Sequence, residues 1–93
     1  MGLKFEWDDK KAISNLKKHS ISFEEASTVF GDWLAITIDD PLHSENEDRL
    51  IIIGKSEYLN TVVVVHVEKH EAIRIISARP ATKNEQNFYE EQQ

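Results

Sequence analysis

Residues 72–89 read AIRIISARPATKNEQNFY, and along them the pattern changes from that of a strand to that of a helix. β-Branched isoleucine dominates residues 72–78, with a period of two, which predicts a β-strand. Pro80 limits this strand, because proline has no backbone N–H to give to a neighbour. We therefore expect a strand that closes the fold, followed directly by a C-terminal helix.

The start of that helix carries two residues with the spacing of a capping box, Thr82 and Glu85. The Thr82 hydroxyl can accept from the N–H of Glu85, and the Glu85 carboxylate can accept from the N–H of Thr82. Arg79 ends the preceding strand and Arg74 lies within it. Since the N–H groups at a helix N-terminus favour anions, this junction is a candidate anion site. The alternative is that both arginines are simply solvated.

Four further stretches have the composition of strands: residues 4–7, 34–38, 49–53 and 61–67. Short turns join the last three strands of the chain, which predicts an antiparallel meander. Gly54 is expected to break the third strand. The strand at residues 61–67 is nearly continuous valine, so both of its faces need cover. One face is expected to take the N-terminal helices, and the other the C-terminal helix, a partner chain or a ligand groove.

Two short helices are predicted between the first and second strands. Asp8 or Asp9 is placed to cap the first helix, whose apolar stripe is Ala12, Ile13 and Leu16. The second helix lies within residues 23–30. The fold class is therefore α+β, with a short N-terminal strand and two helices packed on a small antiparallel sheet, and a C-terminal helix.

The composition is that of one globular domain spanning residues 1–93, with 40% apolar and 30% charged residues. No apolar run approaches the roughly 20 residues of a membrane span, so no membrane partner is expected. The chain has no cysteine and no signal-peptide pattern at its start, which suits the cytoplasm. The net charge of −6 argues against general nucleic-acid binding, although a local basic site remains compatible with RNA.

Several classes of catalytic site are excluded by the motifs. His66 and His70 are four residues apart, but that spacing brings side chains together on a helix and not across a strand and its turn. The sequence contains no GxSxG motif and no phosphate-binding glycine loop. We therefore expect no metal and no cofactor.

Polar side chains suited to chemistry are scattered through the part of the chain that is expected to form the sheet: His43, Arg49, His66, Arg74, Arg79, Glu85 and Tyr89. Arginines beside a proton-transferring residue suit the attack of an RNA 2′-hydroxyl on its own phosphate, which needs no metal. His66 and Arg74 are expected to face the same way on adjacent strands. The alternatives are a core-edge His66 bonded to backbone, and an Arg49 that pairs with the acidic loop before it.

The first part of the chain, KFEWDDKKAISNLKKHSISFEEASTVF at residues 4–30, closely resembles the opening of the BrnT toxins of bacterial type II toxin–antitoxin modules. The family pattern there is KFEWDxxKxxxNxxKHGxSFEEAxxVF. The later parts of that pattern follow in order: Asp39, Asp40, Pro41, His43, Glu47, Arg49, RIISAR at residues 74–79, Ala81, Glu85 and Tyr89. The chain resembles the family over nearly its whole length.

The resemblance implies a RelE-like fold and a metal-independent ribonuclease that halts translation. It implies a BrnA-type antitoxin partner with a ribbon-helix-helix domain, operator DNA bound only through that antitoxin, and a homodimer or a heterotetramer with it. By position it assigns catalytic roles to Arg49, Arg74, Arg79, Glu85 and Tyr89, and RNA contacts to Lys18, His19 and His43. His66 is a catalytic candidate only by the argument from the residues.

Two departures from the pattern bear on function. The family's KHG is KHS here, with Ser20 at a position that costs stability if its φ is positive. The tail NEQNFYEEQQ is acidic where many relatives are basic, which weakens attraction to RNA. The alternative function is therefore a non-catalytic module of the same fold that docks a DNA-binding regulator.

Overall fold

The computed structural model describes residues 3–40 and 48–93. In those residues the chain forms five strands, three α-helices and one 3₁₀ turn: β1 (Phe5–Glu6), α1 (Asp9–His19), α2 (Phe23–Thr28), the 3₁₀ turn (Val29–Gly31), β2 (Ile36–Asp39), β3 (Arg49–Lys55), β4 (Thr61–Lys69), β5 (Ala72–Pro80) and α3 (Lys83–Glu91). None of the described helices is long and apolar enough to cross a membrane. The predicted α+β class and the C-terminal helix are confirmed.

The five strands form one mixed sheet in the order β1-β5-β4-β3-β2. β2 to β5 are antiparallel neighbours, so the predicted meander of β3, β4 and β5 is confirmed. β1 pairs in parallel with β5, placing Phe5 beside Ile73 and Glu6 beside Arg74. The N-terminal strand thus forms one edge of the sheet.

One side of the sheet, which we call the helix face, is covered by α1 and α2. Phe23 of α2 and Val62, Val64 and Ile75 of the sheet are almost fully buried in this core. Phe5 of β1 and Phe30 pack against it, with ring centroids 5.3 Å apart. This is the main hydrophobic core of the domain.

The opposite side, which we call the arginine face, has a smaller core at one end. Ile53, Val63, Ala81 and Tyr89 are buried there, and α3 supplies the tyrosine. Ile51 is only partly buried beside them. The valines of β4 therefore have cover on both faces, as the sequence predicted, although α3 covers only part of the arginine face.

A β-bulge in β5 shifts the register against β4. Val65 pairs with Ser77 but His66 pairs with Ile75, so Ile76 is an extra residue on β5. A bulge breaks the strict alternation of side chains. Ala78 and Ile75, three residues apart, both point into the helix-face core. Arg74 and Arg79, five residues apart, accordingly both lie on the arginine face.

The first helix differs from the prediction in the residues that it buries. Ile13 and Leu16 are 59% and 50% exposed, whereas Asn15 is buried. The Asn15 side chain donates to the carbonyl oxygens of Ala78 and Ile21, at 2.8 and 3.0 Å, and accepts from the N–H of Ala78 at 3.1 Å. Since β1 ends at Glu6, Asn15 bonds to the part of the β5 edge that β1 does not reach. Of the predicted apolar stripe, Ala12 packs against the helix-face core, but Ile13 and Leu16 do not, because a polar contact with β5 determines the orientation of the helix.

The third strand also differs from its prediction, because it continues through Gly54 to Lys55. A Cβ atom at Gly54 would lie 2.8 Å from the Cβ of Ala35 and 3.0 Å from an Asp32 carboxylate oxygen. Gly54 thus permits the segment after the 3₁₀ turn to pack closely on the sheet, and it does not end the strand.

We predict that Gly54→Ala destabilises the domain by about 1–3 kcal/mol, because the added methyl group overpacks a close backbone approach. Urea unfolding followed by circular dichroism measures the change. Gly31→Ala is the matched control, since a Cβ atom there has no neighbour within 4 Å. Equal unfolding midpoints for the two variants would contradict this role of Gly54.

Candidate active site

Arg49 and Arg74 lie on either side of Val67 on the arginine face. Val67 of β4 is in register with Arg49 of β3 and with Arg74 of β5. Neighbouring strands are about 4.8 Å apart, so the two arginine Cα atoms are separated by roughly 10 Å. Two long cationic side chains at this separation can meet at one phosphate group.

Arg74 forms an ion pair with Glu6, its neighbour in register on β1. The Nη1 atom of Arg74 lies 3.1 Å from the Oε2 atom of Glu6. The side chains are 35% and 43% exposed. Exposed ion pairs contribute only about 0–1 kcal/mol, so this contact holds the guanidinium weakly and an anionic ligand can compete for it.

Arg79 makes a bidentate contact with Glu85 of α3, which is stronger than the contact between Arg74 and Glu6. Its Nη1 and Nη2 atoms donate to the two carboxylate oxygens at 2.7 and 2.8 Å. Glu85 also accepts from the N–H of Thr82, whose hydroxyl accepts from the N–H of Glu85, so the predicted capping box is confirmed. Hydrogen bonds from Arg79 lower the pKa of Glu85 to about 2, and that contact raises the pKa of Arg79.

Tyr89 holds the other end of α3 to the fold. Its hydroxyl donates to the Asp32 carboxylate at 2.6 Å, and the same carboxylate oxygen accepts from the N–H of Lys55 at 2.8 Å. Burial and the Asp32 carboxylate raise the pKa of Tyr89 to about 12. Burial alone raises the pKa of Asp32, but the hydrogen bonds from Lys55 and Tyr89 outweigh it, so that its pKa is lowered. The Tyr89 hydroxyl is therefore protonated and engaged at neutral pH.

His66 lies on the helix face and is fully buried. Its ring packs edge-on against Phe30 with centroids 4.8 Å apart, and its Nδ1 atom is 3.5 Å from the carbonyl oxygen of Val64. The expectation that His66 and Arg74 face the same way is wrong, because the bulge pairs His66 with Ile75. His66 is thus separated from the arginine face by the sheet itself, and its catalytic role stays a prediction from the sequence.

The remaining predicted residues lie away from the arginines or outside the described structure. Lys18 is exposed and His19 half-buried in the last turn of α1, on the layer that covers the helix face. α1 ends at His19, and the residue that caps it, Ser20, has a positive φ of 61°, so the departure from the family's glycine falls where glycine is favoured. His43 lies outside the described residues.

A family model described as the ribonuclease toxin BrnT of type II toxin–antitoxin systems matches residues 7–85. The chain belongs to this family. A search of solved structures found the 1.1 Å crystal structure of the Brucella abortus ribonuclease toxin BrnT, with a TM-score of 0.69 and 25% sequence identity. The match covers 88% of this chain and 100% of that one. A comparison with curated proteins gave no match.

Membership of the BrnT family makes this a ribonuclease-type toxin and implies an antitoxin protein as its partner. The matched residues include three arginines and Glu85, whereas Glu6 and Tyr89 lie outside the match. Among the described residues, no three or more His, Cys, Asp or Glu side chains are grouped so as to hold a metal ion.

Two residues that contact the candidate site were not among those predicted from the sequence. Glu6 is one of them, although the alternation Lys4-Phe5-Glu6-Trp7 places it opposite the aromatic residues that reach the core. Asp32 carried no local signal, because its partners Lys55 and Tyr89 are distant in sequence.

We predict that Glu85→Gln destabilises the domain by about 1 kcal/mol at neutral pH, where it weakens the capping box and the contact with a partly exposed arginine. The folded pKa of Glu85 is lowered from 4.5 to about 2, so its stabilising contribution is present above pH 4.5 and is lost as the pH falls toward 2. Thermal unfolding between these pH values should therefore show a weaker acid dependence in the variant. Glu90→Gln, at an exposed position of α3, is the control and should follow the parent protein.

We also predict a second acid-sensitive step from His66, whose pKa is lowered from 6.5 by burial. The unfolded chain binds this proton more readily than the folded protein, so stability falls as the pH drops below 6.5. His66→Leu should remove this dependence, as measured by urea unfolding at a series of pH values. His70→Leu, at an exposed position, should retain it. An unchanged slope in the His66 variant would refute the assignment.

Proposed function

We propose that this BrnT toxin cleaves RNA by metal-independent attack of a 2′-hydroxyl on the adjacent phosphate, at the arginine face. The observation that carries the proposal is the alignment of Arg49, Val67 and Arg74 on three neighbouring strands. Two guanidinium groups there can bind the phosphate oxygens between them. They bind more strongly as negative charge develops on those oxygens in the transition state.

Local charge supports RNA binding in spite of the acidic composition. Lys69 is exposed two residues beyond Val67 on β4, on the same side of the strand as Val67, and is in register with Ala72. It adds a third cation to the end of the sheet that carries Arg49 and Arg74. A cluster of three cations attracts a phosphate backbone even when Glu6 lies beside Arg74 and the net charge is −6, since salt screens distant charges.

Arg79, Glu85 and Tyr89 have supporting roles in this proposal. A guanidinium has five N–H donors, so Arg79 keeps donors for RNA while Glu85 binds it in two places. Glu85 and Tyr89 fix α3 beside the site through Arg79 and Asp32. Lys18 and His19, on the other layer, extend the RNA contact beyond the reacting phosphate.

The cellular function that we propose follows from this chemistry. Cleavage of messenger RNA in the cytoplasm stops translation, and a BrnA-like antitoxin with a ribbon-helix-helix domain neutralises the toxin. The antitoxin binds operator DNA, and it covers the part of the arginine face that α3 leaves open. The assembly is a homodimer or a heterotetramer with the antitoxin. The gene of the antitoxin is expected beside that of the toxin.

We predict that expression of the chain alone arrests bacterial growth, and that Arg74→Ala or Arg49→Ala lowers RNA cleavage by about 10²–10³-fold, because each removes a stabilising charge from the transition state. Cleavage of a labelled oligoribonucleotide in the presence of EDTA measures the rate. Arg74→Lys keeps the charge but loses the planar fork of donors, so we expect an intermediate rate.

Lys83→Ala is the matched control, since it removes an exposed cation at the start of α3 and should leave cleavage unchanged. All variants are checked for folding by circular dichroism. Folded parent protein that neither cleaves RNA nor arrests growth would reject the ribonuclease and favour a non-catalytic module that docks the antitoxin.

A further inference from the structure

We propose that Glu6 is the general base of the RNA cleavage, taking the proton of the attacking 2′-hydroxyl beside Arg74. This inference rests on the proposed ribonuclease function and names a catalytic residue within its site. The geometry behind it is the register of β1 with β5, which places Glu6 next to Arg74, and the 3.1 Å contact between their side chains.

Glu6 lies on the arginine face because of the pattern of β1. Phe5 and Trp7, on either side of it, pack into the core of the helix face, and Phe5 contacts Phe30. The Glu6 side chain must therefore point to the opposite side of the sheet. It is 43% exposed there, so an RNA 2′-hydroxyl can reach it.

Three other described proton-transfer candidates, Glu85, Tyr89 and Asp40, are occupied or buried. Both carboxylate oxygens of Glu85 accept hydrogen bonds from Arg79, and the Glu85 pKa of about 2 makes this carboxylate a poor base. The Tyr89 hydroxyl donates to Asp32, and its pKa is raised to about 12. Asp40, the residue after β2, is only 4% exposed. Glu6 combines exposure with contact to an arginine of the proposed phosphate site.

The charged groups that surround Glu6 favour this role. Arg74 faces it from β5, the strand with which β1 pairs. On its own segment, Lys4 precedes it by two residues and is exposed, and Asp8 follows it by two and accepts from the N–H groups of Lys10 and Lys11. The weak ion pair keeps the carboxylate close to the proposed phosphate site.

The step balances without a metal or another reactant. The 2′-hydroxyl proton moves to a Glu6 carboxylate oxygen as the O2′–P bond forms. The P–O5′ bond breaks, and the leaving 5′-oxygen takes a proton from water. The hydroxide ion that remains accepts the proton from Glu6. The products are a 2′,3′-cyclic phosphate and a 5′-hydroxyl end.

The test is the pH dependence of cleavage by the parent toxin, Glu6→Gln and Glu6→Asp, on an oligoribonucleotide between about pH 4 and pH 8. We expect the parent rate to rise with pH over the range in which a carboxyl group loses its proton. Glu6→Gln should lower the rate by about 10²–10⁴-fold and remove this rise. Glu6→Asp should keep the rise at a reduced rate, because it keeps the carboxylate.

Binding separates a catalytic role from a structural one. An RNA with 2′-deoxyribose at the cleaved position cannot react, so its affinity reports phosphate binding alone. Glu6→Gln should bind it as well as the parent does, whereas Arg74→Ala should bind it more weakly. Thermal unfolding checks that each variant is folded.

Two results would overturn the proposal: a folded Glu6→Gln variant that retains the parent rate and pH profile, or one that loses RNA binding together with the rate. If Glu6→Gln does not fold, the pH profile of cleavage by Glu6→Asp decides. A cleavage rate that does not rise with pH in that variant rejects Glu6 as the general base. A parent toxin that cleaves no RNA rejects the proposed function instead.

Discussion

The extra residue in β5 controls which side chains share the arginine face. Without a bulge, side chains five positions apart on a strand point to opposite faces, and Arg74 would enter the helix-face core with His66. Ile76 shifts the alternation, so that Ile75 takes the core position and Arg74 points outward beside Val67. Burying an arginine without strong partners destabilises the fold by several kcal/mol, whereas a bulge leaves only one residue without its backbone partner on the neighbouring strand. The bulge therefore preserves the core and also builds the cluster of arginines.

Two ion pairs described on the arginine face, Arg79 with Glu85 and Arg74 with Glu6, differ in strength. Arg79 and Glu85 share two short hydrogen bonds, and the same carboxylate caps α3, so this contact joins the end of the sheet to the helix. Arg74 and Glu6 share one contact of 3.1 Å on an exposed edge. Since the first pair is bidentate and the second is a single contact, an anionic ligand competes more easily at Arg74. The end of the sheet remote from α3 is thus the better place for chemistry.

Local patterns predicted the elements of the fold well, because their signals lie within a few residues. The capping box of α3 and the meander are examples. The errors arose where distant residues decide the outcome: Asn15 is buried because Ala78 needs a hydrogen-bond partner, and Gly54 continues a strand because Ala35 packs on it. The site was predicted only in part for the same reason. Alternation alone cannot reveal a bulge, so it placed His66 beside Arg74. The pairing of β1 with β5, which brings Glu6 to Arg74, joins residues that are distant in sequence.

The acidic tail is compatible with a phosphate-binding site because of where its charges lie. Glu85, the acidic residue in the first turn of α3, has its charge balanced by Arg79. Glu90 and Glu91 are exposed at the far end of the helix, beyond the residue that binds Asp32. Exposed charges lose most of their influence beyond a Debye length of about 8 Å at physiological salt. At the proposed site, the local arrangement of Arg49, Arg74 and Lys69 therefore matters more for attraction to RNA than the net charge of −6 does.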